Sequence, residues 1–213
     1  MPEASVGTPA LIEWGVATLA LPGEAQSGDL HFVKSIGTGA LVAVVDGLGH
    51  GTEAATAAKA AVAALDRHQT ESPVRLLERC HRALQGTRGA VMSVAVFTRP
   101  ERSMTWVGVG NVEGQLLYGD GAARSGAARA TLVTRGGIVG SELPRLHPVV
   151  LPIAPGDTLI FATDGIREGF AEGLSREAPP QQLADQILAR HGKGTDDALV
   201  LVARYLGGAG SRR

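Results

Sequence analysis

The chain has 213 residues, 44% of them hydrophobic and 19% charged, with a net charge of −1. This is the composition of a folded domain, not of a disordered segment. A pI near 6.6 excludes the basic footprint of a nucleic-acid binder, and a single cysteine, Cys80, excludes an internal disulfide framework.

No apolar run reaches the ~18 residues of a membrane span. The opening MPEASVGTPA lacks the basic and apolar stretches of a secretory signal, so a cytoplasmic protein is expected. Aromatic residues are only 4%, which leaves Val, Leu, Ile and Ala to build the core.

The predicted elements begin with strands at 9–20, 30–36 and 40–45. A helix follows at 52–67, Ala-rich, with Thr52 as the expected N-cap and Glu53 in its first turn. A second helix runs over 73–85, capped by Ser72 with Pro73 at its first position. Strands are then predicted at 90–98, 103–109, 113–118, 130–134, 148–153 and 157–163. A helix at 180–190 stops at Gly192, and the last strand is 197–205. Short turns such as Pro100-Glu101 and Pro155-Gly156 separate the strands, as in antiparallel sheets. The stretch 119–129, GDGAARSGAAR, reads as a mobile loop, and 207–213 as a frayed tail behind a single domain of 1–206. The whole pattern predicts an α+β layered fold, with two adjacent helices on one sheet and the third helix on the opposite side.

The chain contains only nine aspartates, and several stand where a buried strand meets a glycine-rich turn. Asp46 ends LVAVVDG, Asp164 ends TLIFATDG, Asp196 and Asp197 open the last strand, and Asp29 heads the strand at 30–36. Each alone is ordinary turn or cap chemistry. The set is not, because carboxylates gathered at strand ends repel one another unless cations neutralise them. With few histidines and no cysteine nearby, oxygen ligands favour Mg²⁺ or Mn²⁺ over Zn²⁺. Two such metals held by carboxylates suit phosphoester hydrolysis.

A competing motif lies at GLGHGTEA, which matches the dinucleotide fingerprint locally. That fingerprint requires a second strand ending in an acid ~20 residues later. Here helix 52–67 runs instead into helix 73–85, and Asp46 would sit beside the pyrophosphate. The glycines are better explained by close backbone approach to a metal.

VDGLGHG at 45–51, ATDGI at 162–166 and GTDDALVLVA at 194–203 resemble the metal-dependent protein phosphatases, or PPM family, in its SpoIIE-like branch. EWGVATLALPGEAQSGDLH at 13–31, TWVGVGNVEG at 105–114 and GIVGSELPRL at 137–146 resemble the same branch, down to its small stand-alone stressosome members. The resemblance implies a four-layer αββα sandwich of two antiparallel sheets. It implies hydrolysis of phosphoserine or phosphothreonine by a metal-bridging water, with two Mn²⁺ or Mg²⁺ ions and no phosphoenzyme. It implies Asp46 as the bridging carboxylate and Gly47 as a carbonyl ligand. It implies Asp164 and Asp196 on the other metal, and Asp29 holding metal-bound water. Asp197 stands where many members have Asn or Asp, behind the ligands. The expected substrate is a phosphorylated STAS-domain partner, and the alternative is an inactive phosphatase-like module that only docks it.

The pattern departs from the family at Gly28, where eukaryotic members carry Glu before the first Asp; one metal is then expected to be held less tightly. No phosphate-binding Arg can be assigned. His50, in the glycine turn, is a candidate proton donor to the leaving group. Asn111 reads as a turn residue, His147 and Cys80 as structural, and Trp14 and Trp106 as core.

Overall fold

The continuous apolar run in GALVAVVDG sets the architecture. In the computed structural model, which describes residues 10–119 and 128–207, this segment forms β3 (Gly39–Gly47). Its two faces are both buried, against different partners: Ala40, Val42 and Val44 face one apolar layer, and Leu41, Ala43 and Val45 face another. A strand with two apolar faces belongs in the middle of a sandwich.

One sheet takes the order β2-β3-β4-β5-β8 and the other β1-β10-β9-β6-β7. Their strands are β1 (Ile12–Leu19), β2 (Asp29–Ile36), β4 (Ala90–Thr98), β5 (Ser103–Val109), β6 (Glu113–Leu117), β7 (Arg129–Leu132), β8 (Val149–Pro152), β9 (Thr158–Ala162) and β10 (Ala198–Tyr205). Every pairing between these strands is antiparallel. The layer between the sheets is filled by residues such as Val44, Phe97, Trp106, Phe161, Leu199 and Tyr205.

Helices α1 (Gly51–Arg67) and α2 (Pro73–Ala83) cover the first sheet, and α3 (Pro180–His191) covers the second. Alanines at 54, 57, 58, 61 and 64 let α1 lie close on β2 and β3. Cys80 is part of this packing. Its thiol donates weakly to the Ala61 carbonyl at 3.6 Å, and burial pushes its pKa up to about 12, so it is inert as a nucleophile. Among the described residues no helix is long and apolar enough to cross a membrane.

Helix α1 begins at Gly51 with His50 in the N-cap position, not Thr52, because Thr52 is already inside the first turn, its carbonyl accepting from Thr56 Oγ1. Ser72 does cap α2, accepting from the Arg75 amide. Trp14 is not core: it is 44% exposed on the edge strand β1 and meets His31 of the edge strand β2, ring to ring at 5.7 Å. Residues 120–127 of the expected mobile loop and 208–213 of the tail lie outside the described residues.

Candidate metal centre

Strand parity decides which side chains meet at one end of the sandwich. Asp46 continues the inter-sheet series Ala40, Val42, Val44, and Asp29 is its direct cross-strand partner. From the other sheet, Thr163 continues Leu159 and Phe161, and Asp197 precedes Leu199 and Leu201 with the same parity. Asp29 is only 3% exposed, and its carboxylate accepts a hydrogen bond from Thr163 Oγ1 at 2.7 Å, tying the two sheets together. Asp164 and Asp196 sit on the turns just beyond. With Asp46, Leu48, Gly49, His50, Val91, Gly110, Asn111 and Gly136 they line one open cleft of about 480 Å³.

The carboxylates burden one another. Asp29 is pushed up to about 7, chiefly by burial, with Asp197, Asp164 and Asp196 adding repulsion and the Thr163 hydrogen bond working the other way. Asp46 is pushed up to about 8, again chiefly by burial and then by Asp29, Asp164, Asp196 and Asp197. Among the described residues no three His, Cys, Asp or Glu side chains close into a ready-made metal cage. What they form is a crowding of carboxylates that protons relieve at low pH and hard cations would relieve at higher pH, and an all-oxygen donor set suits Mg²⁺ or Mn²⁺.

A pH dependence follows. Both groups bind protons more tightly in the folded chain than in the unfolded one. The stability they contribute is therefore present below the ordinary carboxylate pKa and is lost as pH rises through about 7 to 8. The melting temperature of metal-free protein should fall between about pH 5 and about pH 8. Added divalent metal should restore it most at the alkaline end. A melting temperature rising across that interval without metal would contradict the charge crowding.

Two glycines in the DG turns are required by space. A Cβ at Gly47 would lie 2.1 Å from the Ala54 carbonyl of α1, and one at Gly165 would lie 1.9 Å from the Asp197 carbonyl. The departure at Gly28 has a similar cause. A Cβ there would meet Ala54 Cβ at 2.8 Å and Asp197 Oδ2 at 3.2 Å, so no side chain fits before Asp29. Asp197, 4% exposed, does not face the cleft as a free carboxylate. Its oxygens accept from the Leu21 and Gly28 amides at 2.8 and 2.7 Å and fasten the 20–28 loop to β10.

The structure also adds residues. Asn111, read from the sequence as a turn residue, donates from Nδ2 to Asp164 Oδ2 at 2.8 Å and lines the cleft. Lys193 holds the same turn by donating to the Asp164 carbonyl. His50 does border the cleft, and its Nδ1 lies 2.7 Å from Oε1 of Glu24, a residue with no sequence signal of its own. His147 is engaged locally with the Arg145 carbonyl, consistent with a structural part.

The family described as Stage II sporulation protein E (SpoIIE) matches residues 37–206. Among curated proteins, phosphoserine phosphatase RsbX of Bacillus subtilis (strain 168) is 32% identical over 90 residues, 42% of this chain and 45% of RsbX, so the match spans less than half of that relative. A solved chain from work on the bacterial stressosome, a modular system adapted to control secondary messenger signalling, superposes with a TM-score of 0.80 at 32% identity, covering 91% of this chain and 99% of that one. RsbX in complex with magnesium superposes with a TM-score of 0.79 at 22% identity, covering 91% and 95%, a likeness of fold. The PP2C phosphatase domain of SpoIIE from Bacillus subtilis gives 0.75 at 20%, covering 93% of this chain and 64% of that one.

Proposed function

This chain belongs to the SpoIIE family and is a PPM-type phosphatase related to RsbX, and from that premise we propose that it is a protein serine/threonine phosphatase using two Mg²⁺ or Mn²⁺ ions on a phosphorylated STAS-domain partner in the cytoplasm. One observation carries the reading: carboxylates from both sheets crowd one end of the sandwich until two of them are pushed up towards neutral pH.

In this reading Asp46 and the Gly47 carbonyl would hold one cation, and Asp46 with Asp164 and Asp196 would hold the other. Asp29 lies behind them, oriented by Thr163. Bound there, divalent cations supply Lewis-acid polarisation of the phosphoryl oxygens and lower the pKa of the attacking water. The chain's own contribution is orientation and proton delivery. Asn111 fixes the Asp164 carboxylate, Lys193 fixes its backbone, and Asp197 fixes the 20–28 loop that joins β1 to β2. His50, on the rim of the cleft, gives a proton to the departing serine or threonine oxygen.

A net charge near zero gives little long-range steering, so recognition is read by short-range surface such as the 137–147 segment and the exposed face of α1. The test is kcat/KM in Mn²⁺ for an intact phosphorylated STAS domain and for a short phosphopeptide with the same flanking residues. The folded protein should be preferred by roughly tenfold or more, the effect of one good contact, and excess chelator should stop both reactions. Equal values would remove the folded-partner reading. Tight binding of the phosphoprotein with no turnover in either metal would favour an inactive docking module.

A further inference from the structure

His50 stands in the N-cap position of α1, with extended backbone (φ −136°, ψ 169°), but makes no capping hydrogen bond with its side chain. The ring turns instead to Glu24, with Nδ1 2.7 Å from Oε1. We infer that Glu24 is a positioning residue for His50, fixing the imidazole so that Nε2 is the nitrogen that serves the cleft. This rests on the reading of His50 as proton donor given above.

Several contacts make this placement specific. Glu24 lies on the 20–28 loop, whose two ends are held by the Asp197 carboxylate through the Leu21 and Gly28 amides. Within it the Glu24 amide donates to the Leu21 carbonyl at 3.0 Å. Gly51, directly after His50, has φ +72°, and a Cβ there would come 2.8 Å from Glu24 Oε2. The turn thus keeps open the space the carboxylate occupies. The side chains are 61% exposed at His50 and 32% at Glu24, and an ion pair that open to water contributes little to stability. Its value lies in geometry: with Nδ1–H donated to Glu24, proton traffic is confined to Nε2.

The step balances without a further reagent. The water oxygen bonds to phosphorus as the bond from phosphorus to the serine Oγ breaks. The Oγ leaves with the bonding pair and takes the proton from His50 Nε2. The attacking water releases a proton to solvent, and His50 is reprotonated from solvent while Nδ1–H stays on Glu24. Such a donor matters for an alkoxide leaving group and hardly at all for nitrophenolate.

The experiment compares wild type, Glu24→Ala, Glu24→Gln, His50→Ala and the Glu24→Ala/His50→Ala double variant. Turnover is measured in saturating Mn²⁺ on a phosphoserine peptide, phenyl phosphate and p-nitrophenyl phosphate. His50→Ala should lose ~10²-fold on the phosphoserine peptide and no more than about threefold on p-nitrophenyl phosphate. Glu24→Ala should show the same leaving-group selectivity at about tenfold, with Glu24→Gln between it and wild type, because the amide oxygen still accepts from Nδ1–H. The double variant should be no slower than His50→Ala. Nitrogen-15 spectra of histidine-labelled, metal-free protein, recorded at a pH where the ring is neutral, should show His50 as the Nδ1–H tautomer in wild type and a tautomer mixture in Glu24→Ala. Selective loss in His50→Ala with none in Glu24→Ala, or additive losses in the double variant, would overturn the inference alone. Equal loss on all substrates in His50→Ala would overturn the proton-donor reading and the inference with it.

Discussion

Asp46→Asn should all but abolish phosphatase turnover while leaving the metal-free protein at least as stable as wild type at pH 8. The two halves come from the same cause. Asp46 carries the largest burden in the cluster, its pKa pushed up to about 8 by burial and four neighbouring carboxylates. An isosteric amide removes that repulsion without opening a cavity, so the fold loses nothing. The same change removes the carboxylate proposed to touch both cations. The loss should exceed the roughly 10- to 100-fold typical of residues that act from behind a ligand. The checks are kcat on a phosphoprotein in Mn²⁺ and melting curves with and without metal. Wild type should gain stability from metal and Asp46→Asn should gain little. Undiminished activity in Asp46→Asn, or in wild type under excess chelator, would defeat the two-cation mechanism.

Gly165→Ala should have the larger effect on the fold itself. The added Cβ would lie 1.9 Å from the Asp197 carbonyl oxygen and 2.8 Å from Ala198 Cβ, and neither backbone can yield without pulling the 163–166 turn off the start of β10. Overpacking against backbone costs about 3 kcal/mol, which for a chain of this size lowers the melting temperature by roughly 6–12 °C. Asp164 precedes this glycine and Asp196 precedes the residue struck, so activity should fall with stability. A melting temperature within about 2 °C of wild type would mean that the turn has room the structure does not show.

How much of this was legible beforehand depended on distance along the chain. Every strand and helix lies within a few residues of its expected bounds, because short apolar runs such as AVMSVAVFT or LVAVVDG and the Ser72-Pro73 start signal are local. The gathering of Asp46, Asp164 and Asp196 around one cleft is readable because each stands where an apolar strand meets a glycine-containing turn, Asp46 and Asp164 at the strand's end and Asp196 just before its start. Glu24 and Asn111 carry no local signal of a site role. Their partners lie 26 and 53 residues away, and nothing local distinguishes such long pairings from ordinary loop chemistry. Trp14 departs from its expected core position for a related reason. Alternation says which face of a strand a residue occupies, but not that the strand is an edge, where that face is partly open.

The acids at this end of the sandwich come from two separately hydrogen-bonded sheets: Asp29 and Asp46 from one, Asp164 and Asp196 from the turns of the other. The span between these pairs is set by the thickness of the apolar filling beneath them, where Val44 and Val91 face Phe161 and Leu199. Mg²⁺ requires shorter, near-octahedral coordination than more permissive cations, so a change of a few tenths of an ångström in that span alters which ion is favoured. Tightly packed interiors transmit such dimensional changes and do not absorb them. Under the proposed two-cation mechanism, ion preference would therefore be written partly in apolar volume: trimming Phe161 or Val44 would retune it without touching a single oxygen donor.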